Sequence, residues 1–210
     1  MTTQTVSRRR TSQPGALGDR FTEALGYATR VHACQTRRAD GRPYIAHLLR
    51  VTGLVIQEGG TEDEAIAALL HDAVEDQGGL ERLEDIRGRY GTAVADIVDE
   101  CTDSYGDPKP PWRRRKERYL ADLEHSSPGC LLVSLADKID NVRSLLRERG
   151  IHGDAVWERS GKRPSEARWY YGALASRLGQ LRPGPLADEL ASAVAELDRA
   201  IGDDLGDGAE

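Results

Sequence analysis

The 210-residue chain carries 29 Lys and Arg against 35 Asp and Glu, a formal charge of −6, and only one Phe and one Met. That length supports one domain with a full core, and the acidic balance argues against nucleic-acid binding while leaving room for an anionic small molecule. Cys34, Cys101 and Cys130 are widely spaced and no apolar run follows Arg8-Arg9-Arg10, so we expect no disulfide framework, no signal peptide and no membrane span, in a cytoplasmic protein.

Residues 1–15 are polar and basic and end in Pro14-Gly15, so we expect a disordered arm; 202–210, rich in Gly and Asp, reads as an acidic flexible tail. Between them, over 16–201, the apolar spacing is helical almost throughout. It predicts helices over 17–36, 44–58, 62–77, 80–88, 92–102, 111–124, 128–149, 164–180 and 185–201. Breaks are expected at Asp40-Gly41-Arg42-Pro43, Gly59-Gly60, Gly78-Gly79, Gly106-Asp107-Pro108 and Gly150. Period-two strand signals and internal repeats are absent. The expected fold is all-α, a single helical bundle.

The helix over 62–77 is the most informative. Thr61 can N-cap it, with Glu64 as the capping-box partner, and Gly78-Gly79 ends it. At about 100° per residue, His71, Asp72, Glu75 and Asp76 fall within one arc of roughly 140°. Ile66, Leu69, Leu70, Ala73 and Val74 fill the rest. Carboxylates and an imidazole crowded beside a buried flank are costly unless a cation neutralises them. A metal is the simplest explanation; the bland alternative keeps Asp72 and Asp76 as solvated surface acids.

Two further segments complete a ligand set. His47 follows Arg42-Pro43-Tyr44-Ile45-Ala46, early in a helix opened by proline. Asp137 lies on a helix whose apolar stripe is Leu135, Ile139, Val142 and Leu146. Asp137, Asn141 and Ser144 run along the other side at i, i+4 and i+7. His47, His71, Asp72 and Asp137 form a mixed nitrogen and oxygen set suited to Mn²⁺, Fe²⁺, Zn²⁺ or Co²⁺. Such an ion acidifies bound water and polarises a phosphoryl oxygen, leaving Glu75 and Asp76 as the acid/base pair.

In this order the segments His32-Ala33-Cys34-Gln35-Thr36-Arg37-Arg38, Pro43-Tyr44-Ile45-Ala46-His47, Ala68 to Asp76 and Leu135-Ala136-Asp137-Lys138-Ile139-Asp140-Asn141-Val142-Arg143 resemble the HD-domain hydrolases of the RelA/SpoT family. The similarity is greatest to the stand-alone small alarmone hydrolases and spans roughly residues 20 to 180. It implies an HD-domain helical bundle with a metal site between helices. It also implies Mn²⁺-dependent hydrolysis of (p)ppGpp to GDP or GTP and pyrophosphate. Carried over, His47, His71, Asp72 and Asp137 are the metal ligands and Glu75 and Asp76 the catalytic acids. Arg37 packs on the base, and Asn141 and Ser144 lie near the ribose.

Three departures stand out. The interval from Gln35 to His47 is one residue longer than in many members, which makes Arg38 an alternative to Arg37. Leu48 replaces a common Pro. Asp140 stands where His or Tyr is commoner, and a carboxylate there is expected to sit poorly beside a polyphosphate. That keeps other phosphorylated nucleotides (ppApp, NADPH) and a non-catalytic nucleotide sensor as alternatives.

Candidate phosphate contacts are Arg37, Arg38, Arg42, Lys138, Arg143 and the run Arg113-Arg114-Arg115-Lys116-Glu117-Arg118. Within that run, Lys116 and Arg118 are the candidates, against a solvated helix face or, last, a nucleic-acid patch. Trp157, Trp169, Tyr170 and Tyr171 read as core packing before purine stacking, and His32, His125 and His152 as ordinary. The expected partner is an anionic nucleotide, with no nucleic acid and no membrane; homo-oligomerisation is left open.

Overall fold

The computed structural model describes residues 17–106 and 108–203. The expected basic arm at 1–15 and the tail from 204 onward lie outside the described residues. Among the described residues there are eleven α-helices and no strands. They are α1 (Asp19–Val31), α2 (Ile45–Gln57), α3 (Glu62–Leu70), α4 (Ala73–Gln77), α5 (Gly79–Tyr90), α6 (Thr92–Cys101), α7 (Trp112–Asp122), α8 (Pro128–His152), α9 (Ala155–Ser160), α10 (Pro164–Leu181) and α11 (Pro185–Asp203). A 3₁₀ turn, Leu123–His125, links α7 to α8.

The core forms where α3 packs on both α2 and α6 and all three pack on α8, with α10 and α11 also against α8. Leu48, Val51, Val55, Ile66, Leu69, Leu70, Val94, Val98, Leu132, Leu135, Ile139 and Val142 are all buried. The expected apolar stripe of α8 therefore packs inward, with Leu146 half-buried at its end. Gly129 lets α8 approach α6 closely: a Cβ there would lie 2.7 Å from Ile97 Cδ1. None of the described helices is long and apolar enough to cross a membrane.

The Thr61 capping box forms as read: Thr61 Oγ1 accepts from the Glu64 amide at 3.2 Å and Glu64 Oε2 accepts from the Thr61 amide at 2.7 Å. The helix it opens is not continuous, however. Where the sequence predicts one helix over 62–77, the chain turns at His71-Asp72 and restarts as α4. His71 Nδ1 lies 2.9 Å from the Ala68 carbonyl, which in an uninterrupted helix accepts from the Asp72 amide. The break lets neighbouring side chains that an ideal helix would splay by about 100° reach one point.

Other boundaries also move. α1 stops at Val31, and the following loop is pinned by a bridge between Thr36 and Pro43. Gly150 does not end α8, which runs on to His152 and closes at Gly153 with φ +56°. Gly150 sits on the solvent side, where an interior glycine costs only about 1 kcal/mol. The short α9 has no counterpart in the sequence reading.

Candidate metal centre

His47 from the first turns of α2, His71 and Asp72 from the α3–α4 break, and Asp137 from the middle of α8 converge between these helices. His47 Nε2 lies 3.3 Å from Asp137 Oδ1 and 3.5 Å from Asp72 Oδ2. His71 Nε2 lies 3.1 Å from Asp72 Oδ2 and 3.7 Å from Asp137 Oδ1. Ligand atoms of His47, His71 and Asp137 all fall within 4.8 Å of one another.

The two imidazoles test whether this set fits a cation. Each Nδ1 faces an atom that only accepts: a carboxylate oxygen of Asp140 for His47, the Ala68 carbonyl for His71. Nδ1 therefore carries the proton in both rings. Each Nε2 is buried, has no hydrogen-bond partner and points toward the two carboxylates. Two partnerless buried nitrogens and two carboxylates around one point fit a divalent cation.

Electrostatics agree. Burial alone would lower the His47 pKa, yet Asp137, Asp140 and Asp72 push it up to about 9. Burial would likewise lower His71, but Asp72 and Asp137 hold it well above its usual range. Burial would raise Asp137, and the Lys138 ammonium with both imidazoles keeps it well below the ordinary carboxylate range. The carboxylates that favour a proton on these imidazoles would favour a cation at the same point.

The side chains of the cluster are braced by neighbours. Tyr44 Oη donates to Asp72 Oδ2 at 2.5 Å. Lys138 Nζ donates to Asp137 Oδ2 and Asn141 Nδ2 to Asp137 Oδ1, both at 2.5 Å. His32 stacks on Tyr44 with ring centroids 5.3 Å apart. It is no ligand, but it supports the wall behind Asp72.

Glu75 and Asp76 project from α4 beside the cluster. Lys109 Nζ donates to Glu75 Oε1 at 2.7 Å and reaches Asp76 Oδ1 at 3.3 Å. Gln35 Nε2 donates to Asp76 Oδ2 at 2.8 Å. Burial and the nearby Asp103 charge raise the Glu75 pKa, against the pull of Lys109. Asp103 is itself held by Arg115 and by Lys116 Nζ at 2.6 Å.

These groups line a cavity of about 160 Å³ that contains His71, Asp72, Glu75, Asp76, Asp137, Lys138, Asn141 and Lys116 among its walls. Whole-ligand pockets run to roughly 300–1,000 Å³, so this space is too small for a whole drug-sized ligand. Arg37 guards one edge: its Nη2 donates to Asn141 Oδ1 at 2.7 Å, and its guanidinium lies 5.6 Å from the Tyr44 ring centroid.

The structure does not bring in every candidate. Arg38 is exposed and absent from the cavity wall. Ser144 opens instead into a separate groove with Arg50, Ile139, Arg143 and Arg147. Arg42 pairs with Asp40 and Glu148, Arg143 with Glu189. Of the basic run, Lys116 lines the cavity; Arg118 only reaches the Asp103 carbonyl. Tyr170 also lines it, while Trp157 is buried in the core.

Asp140 corrects an expectation. It is absent from the cavity wall; its carboxylate turns to the back of His47 and to Arg50. It does not face the cavity.

A sequence model of the HD domain matches residues 24–181, which covers every residue of the cluster. The chain belongs to the HD-domain family. It is 38% identical over 136 residues to the human (Homo sapiens) guanosine-3′,5′-bis(diphosphate) 3′-pyrophosphohydrolase MESH1, covering 63% of this chain and 73% of that protein. It is 32% identical over 156 residues to the guanosine-3′,5′-bis(diphosphate) 3′-pyrophosphohydrolase of Aquifex aeolicus, covering 74% of this chain and 21% of the larger protein. Among solved structures, a metazoan ortholog of SpoT that hydrolyzes ppGpp superposes with a TM-score of 0.73 at 27% identity, over 86% of this chain and 97% of that one. The HD-domain assignment and the His/Asp cluster together give this chain a divalent-cation site.

Sequence reasoning missed Tyr44, Gln35, Asp103 and Lys109 as parts of the site. Tyr44 and Gln35 stand in the Pro43–His47 and His32–Arg38 segments, where nothing local marks them as supports for Asp72 and Asp76. Lys109 sits in a proline-rich connection without periodicity, and only the fold brings it to Glu75.

Proposed function

We propose that this HD-domain protein is a Mn²⁺-dependent hydrolase that removes the 3′-pyrophosphate of (p)ppGpp, giving GDP or GTP. The observation that carries the reading is the pair of buried, partnerless Nε2 atoms on His47 and His71 facing Asp72 and Asp137, beside an acid pair at Glu75 and Asp76. The relatives named for this activity supply the substrate.

His47, His71, Asp72 and Asp137 would hold the cation. Bound there, it would lower the pKa of water and offset charge on a phosphoryl oxygen. In the reaction a water oxygen bonds to the phosphorus on O3′, the P–O3′ bond breaks and pyrophosphate leaves. One proton must be taken from water and one delivered to O3′. Glu75, whose pKa burial and the Asp103 charge raise above the ordinary carboxylate value, is suited to exchange a proton, and Asp76 is aimed beside it by Gln35 and Lys109.

Lys116 and Lys138 would meet the phosphates. Arg37 and Asn141 form the edge on which the nucleoside would rest, Arg37 presenting a flat guanidinium to the base. With Asp140 turned away, its charge does not argue against guanosine polyphosphate. A nucleotide substrate and free thiols at Cys34, Cys101 and Cys130 suit a cytoplasmic setting.

The test is pyrophosphate and nucleotide release from ppGpp, ppApp and NADPH by the Mn²⁺-loaded protein, with and without chelator. Chelator-sensitive GDP and pyrophosphate from ppGpp, faster than turnover of the others, is expected. Turnover of ppApp or NADPH alone would overturn the substrate; no turnover of any with Mn²⁺ bound would overturn the enzyme.

A further inference from the structure

Asp140 is buried, 5% exposed, and a carboxylate in that position needs a reason. It lies three residues after Asp137 on α8, yet it approaches His47 from the opposite side. Its Oδ2 is 2.6 Å from His47 Nδ1. Arg50 closes on the same carboxylate with two donors, Nε to Oδ1 and Nη2 to Oδ2 at 3.1 Å. His47 and Arg50 are three residues apart on α2, so one helix face presents both the imidazole and the guanidinium to Asp140.

The two imidazoles of the cluster are thus backed differently. His71 Nδ1 meets a neutral carbonyl at 2.9 Å; His47 Nδ1 meets an ionised carboxylate locked by a guanidinium. A carboxylate behind a histidine fixes its tautomer and ring angle and strengthens the opposite nitrogen as a donor. Arg50 makes burial of that charge tolerable by pairing it bidentately.

We propose that Asp140, held by Arg50, is a positioning residue that fixes His47 in its Nδ1–H form and sets the affinity of the site for its cation. The proposal rests on the reading that His47 Nε2 binds a divalent cation. Asp140 touches no part of the cavity where substrate would react. Arg50, with 42% of its side chain exposed, reaches Asp140 from a groove of about 450 Å³ between α2 and α8, so the ligand's support is accessible from outside while the ligand is not.

The experiment is Mn²⁺ titration of the chelator-stripped full chain by calorimetry, comparing the unaltered protein with Asp140→Asn, Arg50→Gln and His47→Ala. Asp140→Asn keeps the size and an accepting oxygen but removes the charge, and should weaken Mn²⁺ binding roughly 10- to 100-fold. Arg50→Gln, at a half-exposed position that tolerates change, should weaken it less. In the Zn²⁺-loaded protein, ¹H–¹⁵N spectra of the imidazoles should show a far-downfield Nδ1 proton on His47 that moves upfield in Asp140→Asn. Mn²⁺ affinity within twofold of unaltered in both Asp140→Asn and Arg50→Gln, while His47→Ala loses binding, would overturn this proposal and leave the metal reading standing. No Mn²⁺ binding by the unaltered protein would overturn the metal reading, and this proposal with it.

Discussion

Arg37 Nη2 donates to Asn141 Oδ1 at 2.7 Å, tying the loop after α1 to α8 across 104 residues of sequence. Asn141 in turn donates to Asp137, so one chain of contacts runs from the outer edge of the cavity to a proposed metal ligand.

That chain predicts a split in kinetics. Arg37→Ala removes a guanidinium from the edge where the nucleoside would rest, and KM for ppGpp should rise about 10-fold or more, the size of a charge-assisted contact. The effect on kcat should be smaller. Arg38→Ala, at an exposed position away from the cavity, should change either constant less than twofold. Equal losses in the two variants would remove Arg37 from the substrate edge.

The acids and the ligands should separate cleanly. Glu75→Gln should retain bound metal, measured by elemental analysis, and lose about 10²- to 10⁴-fold in kcat, the usual scale of positioned acid–base catalysis. Asp72→Ala should lose both metal and turnover, because it leaves two imidazoles with one fewer carboxylate. Full activity in Glu75→Gln would rule out the proton role.

Much of this site was legible because its chemistry is packed into short segments. His71, Asp72, Glu75 and Asp76 fall within six residues, so they stay together even though the expected continuous helix breaks at His71-Asp72. The Thr61 capping box was legible for the same reason. What failed was distance along a helix: Ser144 shares a face with Asp137, but seven residues at about 1.5 Å each carry it some 10 Å up the axis. Asp140 looked like a substrate-facing residue because it precedes Asn141. Its direction is decided by Arg50 and His47 on α2, which no reading of α8 alone contains. Lys109 and Asp103 reach Glu75 only through tertiary packing.

Asp103 makes a prediction about pH. Its charge is one cause of the raised Glu75 pKa, while Arg115 and Lys116 are bound up with it. Asp103→Asn removes a negative neighbour and frees two cations, and both changes favour ionised Glu75. If Glu75 must be ionised to act, the acidic limb of the kcat–pH profile should move to lower pH in this variant. A limb that stays put, or moves up, would separate Glu75 from that limb.

Protons and a cation compete for the imidazoles of the cluster. Without a cation, Asp137, Asp140 and Asp72 push the His47 pKa from an ordinary 6.5 up to about 9, and His71 is raised in the same direction. A folded-state pKa above the unfolded one stabilises the fold fully below about pH 6.5, and that contribution is lost as pH rises through about 9. Stripped protein should therefore lose thermal stability over this window. A divalent cation needs the Nε2 lone pairs and must expel those protons, so its binding is opposed at low pH and favoured as pH rises. Mn²⁺ affinity should climb between pH 6.5 and 8.5. Calorimetry at pH 7.5 in buffers of differing ionisation enthalpy should show about one proton or more released per ion. Because ligand binding stabilises the folded state by mass action, the gap in melting temperature between loaded and stripped protein should widen over the same range. A constant gap with no proton release would mean that His47 and His71 are already neutral before the cation arrives, and that Asp72, Asp137 and Asp140 do not hold protons on them.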